Sequence, residues 1–539
     1  MQIGTANLIA RRALGAAALA SLAVLACPST ARADDGIRLS WQDFAKDPAK
    51  VASLRKAVAV MKSRNSADHS SIQYRLSWEY WANMHGYFGP DSPDGTVAEN
   101  KQGIPAKYLH YFQGVTDTTA PDQVAKDVWA MCQHGTPWFF AWHRLYLYWF
   151  EKQLQAASGD SSLRLPYWDY TNTSQLAMPV AISAPTYDDD KGASQLNPLY
   201  EPRRAPGWAS GAAKLNGTAT NIDNALKLTN FTAYQNRIEG GVHGYVHCTV
   251  AVTCPVVDMG SVPYSSNDPV FWSHHANIDR MWSCWSNIAG NKNPSDPSFV
   301  NQKYSFVDPA GKEVTNTVGE LFTGKLIDYK YEQEVNCRRA GGELVAAAKS
   351  SGQVLATAAA TDQTPAPSPA EPQQLTAPTA PLALTKLQTK LKLSLPQGGA
   401  HQRILGQALQ AEGAPSETHL ILDGISYQAH PGTIFNVYLE STRDPKKRAQ
   451  VGTLSFFALP PAVAAKGGHA HHDAAAASED FDVTDALRDI AGGNASLADV
   501  TVSFEATTGR EGTSETAEIN AKAKLTINKI SLQVEPAGK

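Results

Sequence analysis

His134-Gly-Thr-Pro-Trp-Phe-Phe-Ala-Trp-His143-Arg144 and Asp268-Pro-Val-Phe-Trp-Ser-His-His275-Ala-Asn-Ile-Asp279 decide how this chain is read. Each sets histidine beside aromatic residues, and a third cluster, His243-Gly-Tyr-Val-His247, lies between them. Imidazole suits copper, zinc, iron and nickel, so clusters built on histidine point to a transition metal. His243 and His247 are four apart, about 40° around a helix, a spacing that lets both face one ion. His275 and Asp279 share that spacing, which would let the acid accept from the ring N–H that does not bind metal. His134 and His143 are nine apart, so one regular helix cannot aim both inward. Gly135 and Pro137 put His134 in a loop, and a helix carrying His143 is predicted over Trp142 to Leu154.

Continued to Glu151, the first stretch resembles the copper A signature of the tyrosinase, catechol oxidase and molluscan haemocyanin superfamily. Asp268 to Asp279 resembles its copper B signature. The similarity covers roughly residues 36 to 340 and is nearest in character to bacterial polyphenol oxidases with a C-terminal extension. It implies two copper ions, each held by three histidines inside a four-helix bundle, with dioxygen as co-substrate. Copper B would take His243, His247 and His275. His274 would point about 100° away on the helix and serve a structural role. Copper A would take His134 and His143. For its third ligand His85, in Trp78-Glu-Tyr-Trp-Ala-Asn-Met-His85-Gly, is favoured over His110, which lies nearer to His134 in sequence. His69 reads as a helix-start or surface histidine.

Cys132, two residues before His134, would form a thioether to the histidine ring, as in fungal tyrosinases and molluscan haemocyanins. The alternative is a small buried thiol. If Cys27 leaves with a signal peptide and Cys132 bonds to His134, four of the six cysteines remain. Cys248–Cys254 and Cys284–Cys337 are the natural disulfides, although sequence alone does not fix the pairing.

The activity implied is that of a copper oxidoreductase turning o-diphenols (catechols) into o-quinones. The partners are phenolic or catecholic small molecules and dioxygen. Glu239, one helical turn before His243, would hold a water that takes the phenol proton. The alternative is a surface acid beside Arg237. Strong phenol hydroxylases of the family often carry Asn after the first copper B histidine. Here the residue is Gly244, which leaves monophenol hydroxylation open. Trp138, Phe139 and Phe271 are expected to pack the helices and shape the entrance. His243-Gly-Tyr-Val-His247 lacks the Glu of a zinc protease, and the clusters lack the Glu-x-x-His pairs of a di-iron bundle. A haemocyanin-like dioxygen carrier is the remaining rival. Such carriers repeat the unit many times, and this chain carries one copy.

Four segments are expected. Residues 1–33 read as an export signal: Arg11 and Arg12 precede an apolar run, and Ala31-Arg-Ala33 offers a cleavage site. The paired arginines suggest twin-arginine export to the periplasm or beyond. Residues 34–340 form the mainly α catalytic domain with long loops. In it Leu165-Pro-Tyr-Trp-Asp169 supports the bundle, and Arg38 stacks on Tyr329 and Tyr331. Residues 341–382, rich in Ala, Thr and Pro, read as a linker. Residues 383–539 alternate in strand fashion and predict an all-β sandwich or barrel. That segment loosely resembles the domain that covers the site in latent plant polyphenol oxidases, with a purely stabilising domain as the alternative. Gly467-Gly-His469-Ala-His471-His472 reads as a solvated loop or a metal-handling tract. Formal charge is -4 and no basic patch is evident, so no nucleic-acid partner is expected. No second long apolar segment suggests membrane insertion. Whether an accessory protein loads copper is open.

Overall fold

The computed structural model describes residues 36–334 and, further on, 373–376, 379–395, 405, 406, 409, 416–457, 477–491 and 497–536. The export signal at 1–33, most of the linker, Cys337 and the histidine tract at 469–472 lie outside the described residues. No helix among those described is long and apolar enough to cross a membrane.

The first part is helical. Asp47 caps helix Pro48–Ser63 with Pro48 in the first turn, and Val51, Leu54, Val58 and Met61 line its buried stripe. Ser77 caps helix Trp78–His85, which stops with His85 as its last residue. Gly86 ends it because the chain passes too close for a side chain. A Cβ there would lie 2.8 Å from both Asp94 Oδ2 and Pro263 Cα. The helix predicted from Trp142 is longer than expected. It runs Phe139–Ser158 and ends on Gly159 in the left-handed region (φ 74°). Helix Pro269–Ser286 starts at Asp268, whose side chain accepts from Val270 N at 2.9 Å and also binds Arg204 Nε at 2.8 Å.

A buried charge cluster locks this frame. Ile37–Arg38 pairs in parallel with Lys330–Tyr331, joining the two ends of the helical part. The fully buried Arg38 donates from Nε to Glu151 at 2.9 Å and from Nη1 to the Tyr331 hydroxyl at 2.9 Å. Its guanidinium sits 3.4 Å from the Tyr329 ring centre, the stacking expected from sequence. Tyr329 and Tyr331 both donate to Asp279, at 2.8 and 2.6 Å, and Arg144 joins from the His143 helix.

The C-terminal part has its own core between two antiparallel sheets. One sheet orders Gln388–Ser394, Asp499–Thr507, Ile434–Ser441 and Arg448–Leu454; the other is built on Ala477–Asp482, Ser416–Ser426 and Thr526–Pro536. Val500, Val502 and Phe504 alternate inward in the first sheet, and Ile530, Leu532 and Val534 in the second. Two expectations are corrected. The part is not purely β, because helix Thr484–Ala491 buries Leu487 and Ile490 in the same core. The predicted linker also ends too late: Gln373–Gln374 and Leu382–Ala383 pair with Thr526–Pro536. Their Pro- and Gln-rich composition hid short edge strands.

The two parts are in contact. Lys214–Leu215 pairs with Arg510–Glu511. Arg510 donates to the carbonyls of Thr249 and Ala251 at 3.1 and 2.9 Å, inside the loop closed by the Cys248–Cys254 disulfide. That disulfide is the first of the two expected. Cys284 is also disulfide-bonded, but the proposed partner, Cys337, is outside the described residues.

Candidate metal centre

Seven buried imidazoles meet between four helical segments. His85 ends helix Trp78–His85, His134 lies in the following loop, His143 rides helix Phe139–Ser158, and His274 and His275 sit on helix Pro269–Ser286. His243 closes a π-type turn, Ile238–His243, and His247 follows on helix Gly244–Val250. The wide turn, with Gly241 off helical geometry (φ -83°, ψ -107°), breaks the regular ladder just before His243. The ligand atoms of His243, His247, His274 and His275 lie within 4.8 Å of one another. So do those of His85, His143 and His275, and those of His85, Cys132 and His134. Ring centres are 5.3 Å apart for His134 and His143, 4.6 Å for His243 and His247, and 4.3 Å for the stacked His143 and His275.

The hydrogen bonds set the tautomers. His85, His143, His243 and His247 each place Nδ1 on a backbone carbonyl: Val262 at 2.9 Å, Phe139 at 2.7 Å, Glu239 at 3.1 Å and Met259 at 2.7 Å. A carbonyl only accepts, so Nδ1 carries the hydrogen and Nε2 keeps a bare lone pair. The Nε2 atoms of His143, His243, His247 and His275 are buried with no hydrogen-bond partner among the described residues. Burial, reinforced by neighbouring imidazoles, holds His143, His247 and His275 well below the usual histidine range. Burial also brings His243 down to about 3, against the opposing bond to Glu239. Neutral imidazoles with convergent bare nitrogens cost free energy when left unpaired. They are the donor set that a soft or borderline divalent metal satisfies.

Several residues fall where the sequence put them. His85 is fully buried in the cluster, whereas His110 is exposed, with its ring tilted against Tyr111 at 4.3 Å. His69 is an exposed residue stacked on Tyr74. Cys132 Sγ is 3.4 Å from His134 Nδ1. Phe139 and Phe271 line the cluster, 4.7 Å from His143 and 4.3 Å from His275. Trp138 instead packs on Phe299.

Two expectations fail. Asp279 does not hold His275: its carboxylate is taken by Arg144, Arg38, Tyr329 and Tyr331, and His275 Nδ1 has no partner among the described residues. Nor does His274 point away. Its ring lies 4.8 Å from His247, with Nδ1 at 2.8 Å from the Tyr170 hydroxyl. Adjacent positions on a helix diverge by about 100°, but both rings reach the cluster: His274 stacks on His243 at 5.4 Å and His275 on His143 at 4.3 Å.

Glu239 accepts from Gly135 N, beside His134. Burial, aided by the nearby carboxylate of Glu479, pushes Glu239 up to about 8 despite that bond. Sequence reasoning missed Phe457 entirely. It comes from the C-terminal part, yet it is buried in the core of the helical part and stacks on His247 at 3.8 Å, with His243 and His134 at 5.4 and 5.6 Å. Nothing in Ser455-Phe-Phe457 distinguishes it from a strand-end aromatic.

Residues 75–219 and 209–288 match the family model for the common central domain of tyrosinase. The chain is 28% identical over 302 residues to tyrosinase HcTyr1 of Hahella sp. (51% of this chain, 59% of that protein). It is 27% identical over 238 residues to a chloroplastic polyphenol oxidase of Malus domestica (40% of each chain). The matches thus span between two fifths and three fifths of those relatives' lengths. A latent aurone synthase structure superposes with a TM-score of 0.54 at 17% identity, covering 94% of this chain and 90% of the other. Latent apple tyrosinase gives 0.52 at 18%, covering 93% and 97%. These likenesses establish a shared fold across both parts.

The cluster geometry separates the two candidates for the sixth histidine. His85→Ala should lower the copper bound per chain by about half, whereas His110→Ala should leave it unchanged. Elemental analysis of the two variants checks this, and equal loss from both would reject the assignment.

Proposed function

We propose that this chain, a type-3 copper protein with a tyrosinase central domain, oxidises o-diphenols to o-quinones with dioxygen at a dinuclear copper site. The observation that carries the reading is the ring of neutral imidazoles whose bare Nε2 atoms converge. His85, His134 and His143 would hold one copper and His243, His247 and His275 the other, within the four histidine-bearing helices read as a bundle. Bound copper supplies the two-electron exchange between dioxygen and the catechol.

The rest is the chain's own work. The four carbonyl-anchored imidazoles are fixed in tautomer and direction before any ligand arrives, which lowers the reorganisation needed to bind. Phe139 and Phe271 press on the histidine rings and give an aromatic substrate an apolar wall. The burial of Cys132 with Sγ 3.4 Å from His134 Nδ1 supports a thioether between them. That bond would forbid His134 from swinging. Glu239, fixed by Gly135 N, is placed to take the phenol proton through a water once the site is open.

The C-terminal part holds the enzyme latent in this reading. Phe457 occupies the space over His247 and His243 that a substrate ring needs. Export of the protein belongs to the same proposal. A reversible dioxygen carrier is the rival.

Three outcomes test these assignments. Quinone formation from a simple catechol should rise on protease trimming near residue 360, and Phe457→Gly should raise it in the full chain. Reversible oxygenation without turnover, before and after trimming, would instead favour the carrier. Glu239→Gln should lower monophenol turnover by about 10²-fold or more and diphenol turnover much less; equal losses reject the base role. After reduction of the disulfides, the intact mass of copper-loaded protein should fall short by two hydrogens, and Cys132→Ala should abolish the deficit. A full mass in the wild type rejects the thioether.

A further inference from the structure

Where the C-terminal part meets the helix of His243, the surface is stripped of side chains. Gly240 and Gly244 lie one turn apart there. A Cβ at Gly244 would lie 2.4 Å from Ser455 Oγ and 3.5 Å from Ser455 Cβ; one at Gly240 would lie 3.0 Å from Glu479 Oε1. Ser455 Oγ donates to the carbonyl of Gly240 at 3.3 Å. The backbone does not ask for glycine at 244. Its φ of -62° and ψ of -35° are ordinary right-handed helix, open to any L residue. Glycine is also among the poorest helix formers, so local structure would favour almost any replacement. What excludes a side chain is the other part of the chain. Ser455 is buried at this contact, and Phe457, two residues on, lies over the histidines.

We infer that Gly244, with Gly240, is the seat on which the C-terminal part docks, so that a side chain at 244 and the closed arrangement are mutually exclusive. This rests on the latency reading above and deepens it. The residue after His243 then governs two properties at once. A polar side chain there would project beside the site and change what substrate it meets, and the same side chain would unseat Ser455 and withdraw Phe457. The chain keeps glycine because it is built to close. Its departure from the asparagine of strong phenol hydroxylases is, on this view, a docking requirement rather than a catalytic choice.

The test uses the full chain and two readouts. The first is the ratio of catechol oxidation after trimming to that before, which cancels any effect of residue 244 on chemistry. The second is amide hydrogen exchange over 240–250. Gly244→Asn should reduce the ratio about tenfold or bring it to unity, and Gly244→Ala several-fold, from overpacking at Ser455. Exchange should rise in parallel. Ser455→Ala should restore latency to the Gly244→Ala variant, because the contacts besides Ser455 Oγ, 3.5 Å to Ser455 Cβ and 3.6 Å to the Glu239 carbonyl oxygen, are of ordinary length, but not to Gly244→Asn. A wild-type ratio and protected amides in Gly244→Asn would overturn the seat. A wild-type ratio of one would reject latency itself, while the exchange data would still report whether residue 244 carries the docking.

Discussion

The whole site depends on backbone carbonyls that take the Nδ1 hydrogens of buried histidines. Val262, Phe139, Glu239 and Met259 each hold one ring. Without those bonds a buried imidazole would choose its tautomer and rotamer freely, and half of the tautomer choices would turn an N–H toward the centre of the cluster. Two of the four carbonyls, Phe139 and Glu239, lie one turn back on the same helical segment, so the helix itself supplies the clamp. The other two come from the segment between the disulfide loop and Asp268, which connects His247 to the start of the last histidine helix. The path of that loop is therefore part of the ligand geometry.

The charge cluster behind the helices fixes how the histidine-bearing helices sit against one another. Asp279, Glu151, Arg38 and Arg144 are almost fully buried, and each carboxylate has several donors. Such a network adds little net stability over an apolar core, but deleting one member leaves a buried charge and costs roughly 3–5 kcal/mol. It joins the Ile37–Arg38 strand, the His143 helix, the His275 helix and the Lys330–Tyr331 strand. Rotation of one histidine helix against another would break several charged bonds at once. The frame holds the helices, the carbonyls hold the rings, and neither role is interchangeable.

The parts legible in sequence were those governed by local rules. Histidine spacing and the Gly135–Pro137 break located the His143 helix to within three or four residues at each end. What local rules missed was the consequence of packing. The spacing of His275 and Asp279 puts both on one face, but that face turns toward Arg144, so the acid serves the charge cluster and not the ring. His110 lies closer in sequence to His134 than His85 does, yet it is left on the surface because Phe112, not His110, fills the local core. Phe457 was unreadable for the opposite reason. Its partners are more than two hundred residues away in sequence, and no periodicity marks a side chain that leaves its own domain.

The contact between the two parts is divided. The Phe457 and Ser455 contacts lie over the site, while Tyr245, Arg510 and Asn216 form a second set of bonds around Gly509 and Glu511. Arg237 with Asp480 and Asn520 with the carbonyl of Gly103 add further bonds between the parts. If the C-terminal part is a latency device, as proposed, these contacts remain in place after a cut between the parts. Opening would then depend on a binding equilibrium as well as on proteolysis, and the contact of Ser455 with Gly240 and Gly244 would contribute to its affinity.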